Sequence, residues 1–178
     1  MMSRDSELLK TAIPFLDDIR NNWARLKLVG ETHYKEDMTS MEALEKAKVS
    51  ENENRKSRCE TREYGWRIRA LEEKLNDYYR YKGFPEVIAR GAFLYKKDGG
   101  MSWHTNNEHP GPRLYFTHTA EAGKSYFRYQ DYDTKEIITD YDEEGWQVRI
   151  FRVSSETPLW HCVGSQTNRY SIGYGNNG

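Results

Sequence analysis

The sequence has 178 residues, enough to bury one good core but short for two independent domains. Its 27 basic and 28 acidic side chains leave a net charge of -1, which excludes a global attraction to nucleic acid or to an anionic membrane. The mean hydropathy is only -0.98, yet 13% of the residues are aromatic, whereas disordered chains are poor in such rings. The composition therefore indicates a folded protein.

The two cysteines, Cys59 and Cys162, are far apart and give no disulfide framework, which fits a reducing compartment. The first residues lack the basic start and apolar run of a signal peptide. No stretch reaches the roughly 18 apolar residues of a membrane span. We therefore expect a cytoplasmic protein without membrane contact.

Helical periodicity dominates the first half of the chain. Between Arg4 and Leu28 the apolar side chains recur every three or four positions, which predicts an amphipathic helix that Pro14 starts, kinks or splits. Residues 37–48 form a second helical candidate. Residues 64–78 form a third, because apolar and aromatic side chains line one face there before glycine and proline stop the pattern.

The polar run at residues 50–60 predicts a mobile loop or a solvated continuation of the second helix. After Pro85 the period of the apolar side chains changes to two, which is the period of a strand. We therefore divide the chain into a helical segment, residues 1–84, that covers a sheet, and a strand-rich core, residues 85–178, within one domain overall.

Seven short runs in the second half are rich in β-branched and aromatic residues and are separated by turn residues. No helical pattern lies between them, so the class is α+β, with about seven to eight antiparallel strands in a sandwich, barrel or jelly roll. The runs are "EVIARGAFLY", "RLYFTHT", "KSYFRYQDY", "EIITDY", "WQVRIFRV", "LWHCV" and "RYSIGY".

One of these regions mixes aromatic rings with cations, as single-stranded nucleic-acid grooves do. In a neutral protein this mixture more often reflects cross-strand aromatic pairs on half-buried strands, so we do not favour a nucleic-acid partner. The residues concerned are Tyr126, Phe127, Tyr129, Tyr132 and Tyr141, with Lys124 and Arg128.

Two of the five histidines, His104 and His161, each follow a tryptophan at a strand edge or a junction between strand and turn. A jelly roll brings strands that are distant in sequence opposite each other, so these two side chains can meet. Imidazole is a common ligand of iron, zinc and copper. Two histidines with one carboxylate leave open metal positions, as in the non-heme Fe(II) oxygenases. Alternatively, both histidines are hydrogen-bonded strand-end residues without a ligand.

Arg169 and Ser171 lie on one side of the last predicted strand, because side chains alternate there with a period of two. A guanidinium fork and a hydroxyl on one side suit a buried carboxylate. An arginine in a cross-strand ion pair, beside a space-filling serine, is the other reading of this pattern.

Taken together, the motifs resemble the 2-oxoglutarate- and Fe(II)-dependent oxygenase superfamily over about half of the chain. That family has a His-x-Asp or His-x-Glu motif, a later second histidine and an arginine shortly after it, often as Arg-x-Ser. The matching motifs between Val87 and Tyr174 are His104-x-Asn106, Trp160-His161 and Arg169-Tyr170-Ser171.

The resemblance implies a double-stranded β-helix and an oxygenase that uses Fe(II) and 2-oxoglutarate as cofactor and cosubstrate. It implies coupling of O2 and 2-oxoglutarate decarboxylation to C–H oxidation of an unidentified substrate, most simply hydroxylation. By position, the implied iron ligands are His104, Asn106 and His161. The residues implied for 2-oxoglutarate are Arg169, Ser171 and Tyr115.

The sequence departs from the family at Asn106, which stands where the carboxylate belongs. The amide oxygen of Asn106 is a weaker, neutral ligand, and Glu108 or Asp131 are alternative carboxylates. The departure also leaves two other functions open. One is a halogenase, in which a non-carboxylate residue opens a position for chloride, and the other is a degenerate binding module with the same fold.

Overall fold

The computed structural model describes residues 2–50 and 55–177. Within these ranges the chain forms the helices α1 (Ser6–Asn21), α2 (Met41–Val49) and α3 (Trp66–Tyr79), with a short 3-10 turn at Trp23–Arg25. The strands are β1 (Leu28–Glu31), β2 (Ser57–Arg58), β3 (Glu60–Arg62), β4 (Val87–Tyr95), β5 (Gly99–His104), β6 (Gly111–Thr119), β7 (Ser125–Gln130), β8 (Ile137–Tyr141), β9 (Gly145–Val153), β10 (His161–Ser165) and β11 (Arg169–Asn176).

The strands form two antiparallel sheets that pack face to face. The larger sheet has the order β1-β3-β4-β11-β6-β9, and the smaller one has the order β2-β5-β10-β7-β8. Strands that follow each other in sequence from β4 to β11 mostly alternate between the two sheets, which is the winding of a double-stranded β-helix. The predicted α+β class with an antiparallel jelly roll is therefore confirmed.

The first helix is shorter than its apolar pattern predicted. The Asp5 side chain accepts a hydrogen bond from the Leu8 amide at 3.0 Å and caps the start of α1. The helix continues through Pro14 and ends at Asn21 rather than near Leu28. Proline at this position therefore neither starts nor splits the helix.

The helices pack on the outer faces of the sheets. Helices α1 and α3 cover the larger sheet, whereas α2 covers the smaller sheet through Leu44, which packs against Trp103 and Cys162. Burial of such apolar side chains is the main stabilising contribution to the fold. The core between α1, α3 and the larger sheet includes Leu8, Leu16, Ile19, Ile68, Leu71, Leu75, Leu114, Phe116 and Ile172.

The glycine pair at Gly99 and Gly100 begins strand β5, which was not among the predicted strands. A Cβ at Gly100 would lie 2.6 Å from the Val163 carbonyl oxygen, so the neighbouring strand leaves no room for a side chain. The turn before the strand is made by Asp98, whose φ is 64°. The glycines therefore reflect the close approach of two strands.

The N-terminal segment contributes strands as well as helices. Strands β1 and β3 extend the larger sheet and β2 extends the smaller one. Part of the polar run at 50–60, predicted as a loop or helix, is thus strand, and residues 51–54 lie outside the described ranges. The division of the chain at residue 84 stays a prediction.

The aromatic residues of β7 pack as cross-strand pairs. Tyr126 lies opposite Tyr141 of β8, with ring centroids 5.9 Å apart, and the Arg128 guanidinium stacks on the Tyr126 ring at 4.4 Å. Phe127 on the other face is buried between the sheets. No helix in the described residues combines the length and the apolar character that crossing a membrane requires.

Candidate metal and cosubstrate site

The two sheets enclose a cavity of about 270 Å³ between their inner faces. The folded chain brings all six residues predicted for iron and 2-oxoglutarate to this one cavity. They come from β5, the loop after it, β6, β10 and β11. The six residues are His104, Asn106, Tyr115, His161, Arg169 and Ser171.

A β-bulge in β5 turns His104 toward the cavity. His161 of β10 lies opposite His104 and Val163 lies opposite Met101, so β5 has one residue more than β10 between these pairs. The extra residue reverses the alternation of side chains, as bulges do. Met101 and His104 therefore both face the cavity, whereas Trp103 faces α2 and donates its indole N–H to the Ser40 carbonyl at 2.9 Å.

The two imidazoles are held in the same way by local backbone. The Nδ1 atom of His104 donates to the Ser102 carbonyl at 2.7 Å, and that of His161 donates to the Leu159 carbonyl at 2.8 Å. A carbonyl can only accept, so Nδ1 carries the proton on both rings. The Nε2 atom of each ring therefore keeps its lone pair. The ring centroids are 4.2 Å apart.

Burial keeps both rings neutral. Chiefly through burial, and also through Arg55 and Arg113, the pKa of His161 is lowered to about 4. Burial likewise lowers the pKa of His104 well below its ordinary value, and the neighbouring His161 adds to this effect. Neutral imidazole is the form that binds a metal, so no proton has to leave either ring at neutral pH.

Asn106 stands beside these rings in a left-handed backbone conformation, with φ of 57°. Its Nδ2 atom donates to the Nε2 atom of His161 at 3.3 Å and to the Tyr115 hydroxyl at 3.4 Å. A half-turn of the amide exchanges Nδ2 and Oδ1 and brings the metal-binding oxygen to the same place. Two imidazole nitrogens and one amide oxygen therefore fit a first-row divalent metal.

The alternative carboxylates lie elsewhere. Neither Glu108 nor Asp131 lines the cavity. Asp131 instead accepts hydrogen bonds from the Asp133 and Thr134 amides, at 2.9 and 2.8 Å, and stabilises the turn between β7 and β8. In residues 2–50 and 55–177, no group of three or more histidine, cysteine, aspartate or glutamate side chains forms a metal site. The three candidate ligands that meet here are thus all neutral side chains.

Arg169 is buried at the end of the cavity where β11 begins. Its Nε atom donates to Asp142 at 2.7 Å, and its Nη2 atom lies 3.5 Å from the Thr117 hydroxyl. Asp142 also accepts from Arg149 at 2.7 Å and from Ser125. Burial alone would raise the pKa of the Asp142 carboxyl, but Arg169 and Arg149 outweigh it and hold the pKa well below its usual range.

Sequence reasoning missed Asp142, the ion-pair partner of Arg169, and Arg149, which shares Asp142 with it. Arg149 lies on β9 between Gln147 and Phe151, and all three alternate toward the interior, so the period of two was a signal for its burial. Asp142 lies in an acidic turn with several other carboxylates. Nothing local in the sequence distinguishes it from its neighbours.

No protein-family model matches the sequence, and no curated protein matches it. Solved structures share its architecture. A prolyl hydroxylase from Trichoplax adhaerens, in complex with a hypoxia inducible factor oxygen degradation domain peptide fragment, has a TM-score of 0.60 at 9% identity, over 98% of this chain and 82% of that one.

Two bacterial structures give the same result. A Pseudomonas putida prolyl-4-hydroxylase has a TM-score of 0.54 at 13% identity, over 98% of this chain and 91% of that one. A 2OG-Fe(II) oxygenase family oxidoreductase from Burkholderia pseudomallei has a TM-score of 0.52 at 15% identity, over 91% of this chain and 81% of that one. The chain therefore has the double-stranded β-helix fold of the 2-oxoglutarate- and Fe(II)-dependent oxygenases.

The Asp142 network generates a prediction about stability. Asp142→Asn leaves Arg149 and Arg169 buried without their shared charge, and we expect a loss of about 3 kcal/mol in the free energy of unfolding at pH 7. The pKa of Asp142 is lower in the folded state than in the unfolded state. The stabilisation by its ion pairs is therefore fully present above about pH 4 and is lost as the pH falls toward the folded-state pKa. Urea denaturation at pH 7 and pH 3 should show that the free energies of unfolding of wild type and variant differ less at pH 3 than at pH 7. The exposed turn residue Asp133, changed to Asn, is the control, and an equal difference at both pH values would contradict the network.

Proposed function

We propose that the protein is an Fe(II)- and 2-oxoglutarate-dependent oxygenase that hydroxylates a C–H bond. The reaction is 2-oxoglutarate + O2 + R–H → succinate + CO2 + R–OH. One observation carries the proposal: two buried, neutral imidazoles with unprotonated Nε2 atoms lie in the same cavity as a buried arginine, within this fold. A metal-binding pair alone or a carboxylate-binding arginine alone would be much weaker support.

His104 and His161 would bind Fe(II) through Nε2, and Asn106 would add its amide oxygen. When bound, the metal supplies the redox chemistry that couples reduction of O2 to decarboxylation of 2-oxoglutarate. The backbone carbonyls of Ser102 and Leu159 fix the orientation of the two rings and make them more basic ligands. The cosubstrate is a dianion and would bring the negative charge that the protein ligands lack.

Arg169 would bind the distal carboxylate of 2-oxoglutarate. Asp142 occupies its Nε edge, which leaves the Nη groups as donors. Ser171 and Thr117, directly opposite each other on β11 and β6, would add hydroxyl donors. The Tyr115 hydroxyl is a further donor nearer the histidines, and burial raises its pKa, so it remains protonated at neutral pH.

Aromatic side chains give the centre of the cavity apolar walls. The Phe127 ring stacks on His161, with centroids 5.3 Å apart and planes at 24°. The Tyr115 ring meets the Phe151 ring edge to face at 5.0 Å. Such apolar walls strengthen the electrostatic interactions between the cavity and its ligands, and they protect reactive species from water.

The first test is spectroscopic. We expect a weak visible charge-transfer band when Fe(II) and 2-oxoglutarate are added anaerobically, and succinate when O2 is admitted. His161→Ala should remove both signals, because one of two imidazole ligands is lost, whereas His33→Ala should change neither, since His33 lies exposed in a connector. Absence of both the band and succinate with the wild-type protein would refute the proposal. A band without succinate would indicate a binding module that does not turn over.

The second test concerns the cosubstrate. Arg169→Lys keeps the positive charge beside Asp142 but cannot offer a bidentate fork, so we expect 2-oxoglutarate to bind at least about tenfold more weakly, or roughly 1.4 kcal/mol. Titration of the charge-transfer band with 2-oxoglutarate measures this directly. Arg152→Lys, on the exposed side of β9, is the matched control. Unchanged affinity in Arg169→Lys would place the distal carboxylate elsewhere.

A further inference from the structure

A second arginine pair, Arg113 and Arg90, lines the cavity. Arg113 is only 3% exposed. Its Nη1 atom donates to the Pro112 carbonyl at 3.1 Å and to the Asn176 side-chain oxygen at 3.2 Å, and its Nη2 atom donates to the His109 carbonyl. All of these acceptors are neutral. The buried positive charge is thus hydrogen-bonded but not balanced.

Among the residues that the structure describes, no carboxylate forms an ion pair with Arg113 or Arg90. Arg149 and Arg169, which also line the cavity, differ because both form ion pairs with Asp142. Removing a guanidinium from water without a counter-charge is costly. Burial also lowers the pKa of Arg113, and nearby Arg90 adds to that effect.

A β-bulge in β4 directs Arg90 to this place. Gly173 of β11 lies opposite Gly91, whereas Tyr174 lies opposite Ala89, so Arg90 is the extra residue. Its Nη2 atom donates to the Asn176 carbonyl at 2.8 Å, and its Nε atom is buried with no hydrogen-bond partner among the described residues. Buried N–H groups are usually hydrogen-bonded, so the Arg90 Nε–H is available to donate to an acceptor that binds here.

Gly175 provides the space between the two side chains. A Cβ there would lie 3.0 Å from the Arg113 Nη1 atom and 3.1 Å from the Arg90 Cγ atom. Gly175 pairs with Arg113 near the end of β11, whereas Arg169 is its first residue. Six residues of strand span roughly 20 Å. The Arg113–Arg90 pair therefore lies near one end of β11, whereas Arg169 lies at the other.

We propose that Arg113 and Arg90 form a second anion-binding subsite that takes a carboxylate or phosphate group of the primary substrate. An anion there balances the charge of Arg113 and supplies the acceptor that Arg90 Nε lacks. The reacting part of the substrate would then lie beside His104 and His161. The identity of the anion as part of the substrate rests on the proposed oxygenase function, whereas the anion subsite itself does not.

Calorimetric titration of the full chain with inorganic phosphate, and separately with acetate, tests the subsite. Excess 2-oxoglutarate is present to fill the Arg169 end. We expect one of the two anions to bind, with phosphate preferred for a phosphate-bearing substrate and acetate for a carboxylate. Arg113→Gln should weaken that binding at least tenfold. Arg152→Gln removes the same charge from the exposed side of β9 and should have no effect.

Two further variants keep the test decisive. Arg113→Lys restores the charge without the fork and should recover part of the affinity if Arg113→Gln is folded, which circular dichroism checks. Arg169→Gln should leave the binding of phosphate or acetate unchanged. The subsite is wrong if wild type binds neither anion, if Arg113→Gln binds as well as wild type, or if Arg169→Gln rather than Arg113→Gln loses the anion.

The result is separable from the oxygenase proposal. If the charge-transfer band and succinate are absent but Arg113→Gln still loses anion binding, the subsite stands and the oxygenase function does not. If Arg113→Gln loses 2-oxoglutarate while Arg169→Gln retains it, Arg113 binds the cosubstrate and the second subsite is refuted.

Discussion

The pairing of β5 with β10 is the constraint on which the site depends. It places His104 opposite His161, and the bulge in β5 turns the first of these rings inward. Each ring is then fixed by the backbone carbonyl of the residue two positions earlier in the chain, so neither orientation depends on a distant side chain. A one-residue change of register would move His104 to the outer face and separate the pair.

The cavity that holds the two histidines is lined by positive charges. Its lining contains arginines from the larger sheet and from the loop before β2, and no aspartate or glutamate among the described residues lines it. Asp142 lies behind the lining and offsets two of these arginines. With Asn106 in place of a carboxylate, the first layer of protein atoms around the histidines carries no negative charge. The site is therefore suited to anionic ligands, of which a dicarboxylate cosubstrate is one.

Much of the fold could be predicted from the sequence, because periods of 3.6 and two are strong signals for amphipathic helices and half-buried strands. The strand β5 could not be predicted, since its glycines resemble a turn until the neighbouring strand is present at Val163. The six proposed site residues were predictable from spacing and the family resemblance. Arg90, Arg113 and Asp142 were not, because bulges and buried ion pairs depend on strand register, which local patterns do not reveal.

The most direct measurement is a crystal structure of the full chain grown anaerobically with Fe(II) and 2-oxoglutarate, with anomalous data at the iron edge. We expect one iron peak between the Nε2 atoms of His104 and His161, with the Asn106 oxygen facing it, and the distal carboxylate of 2-oxoglutarate at Arg169. An iron peak at other residues, no peak at all, or a distal carboxylate away from Arg169 would contradict the assignment of this cavity as an oxygenase site.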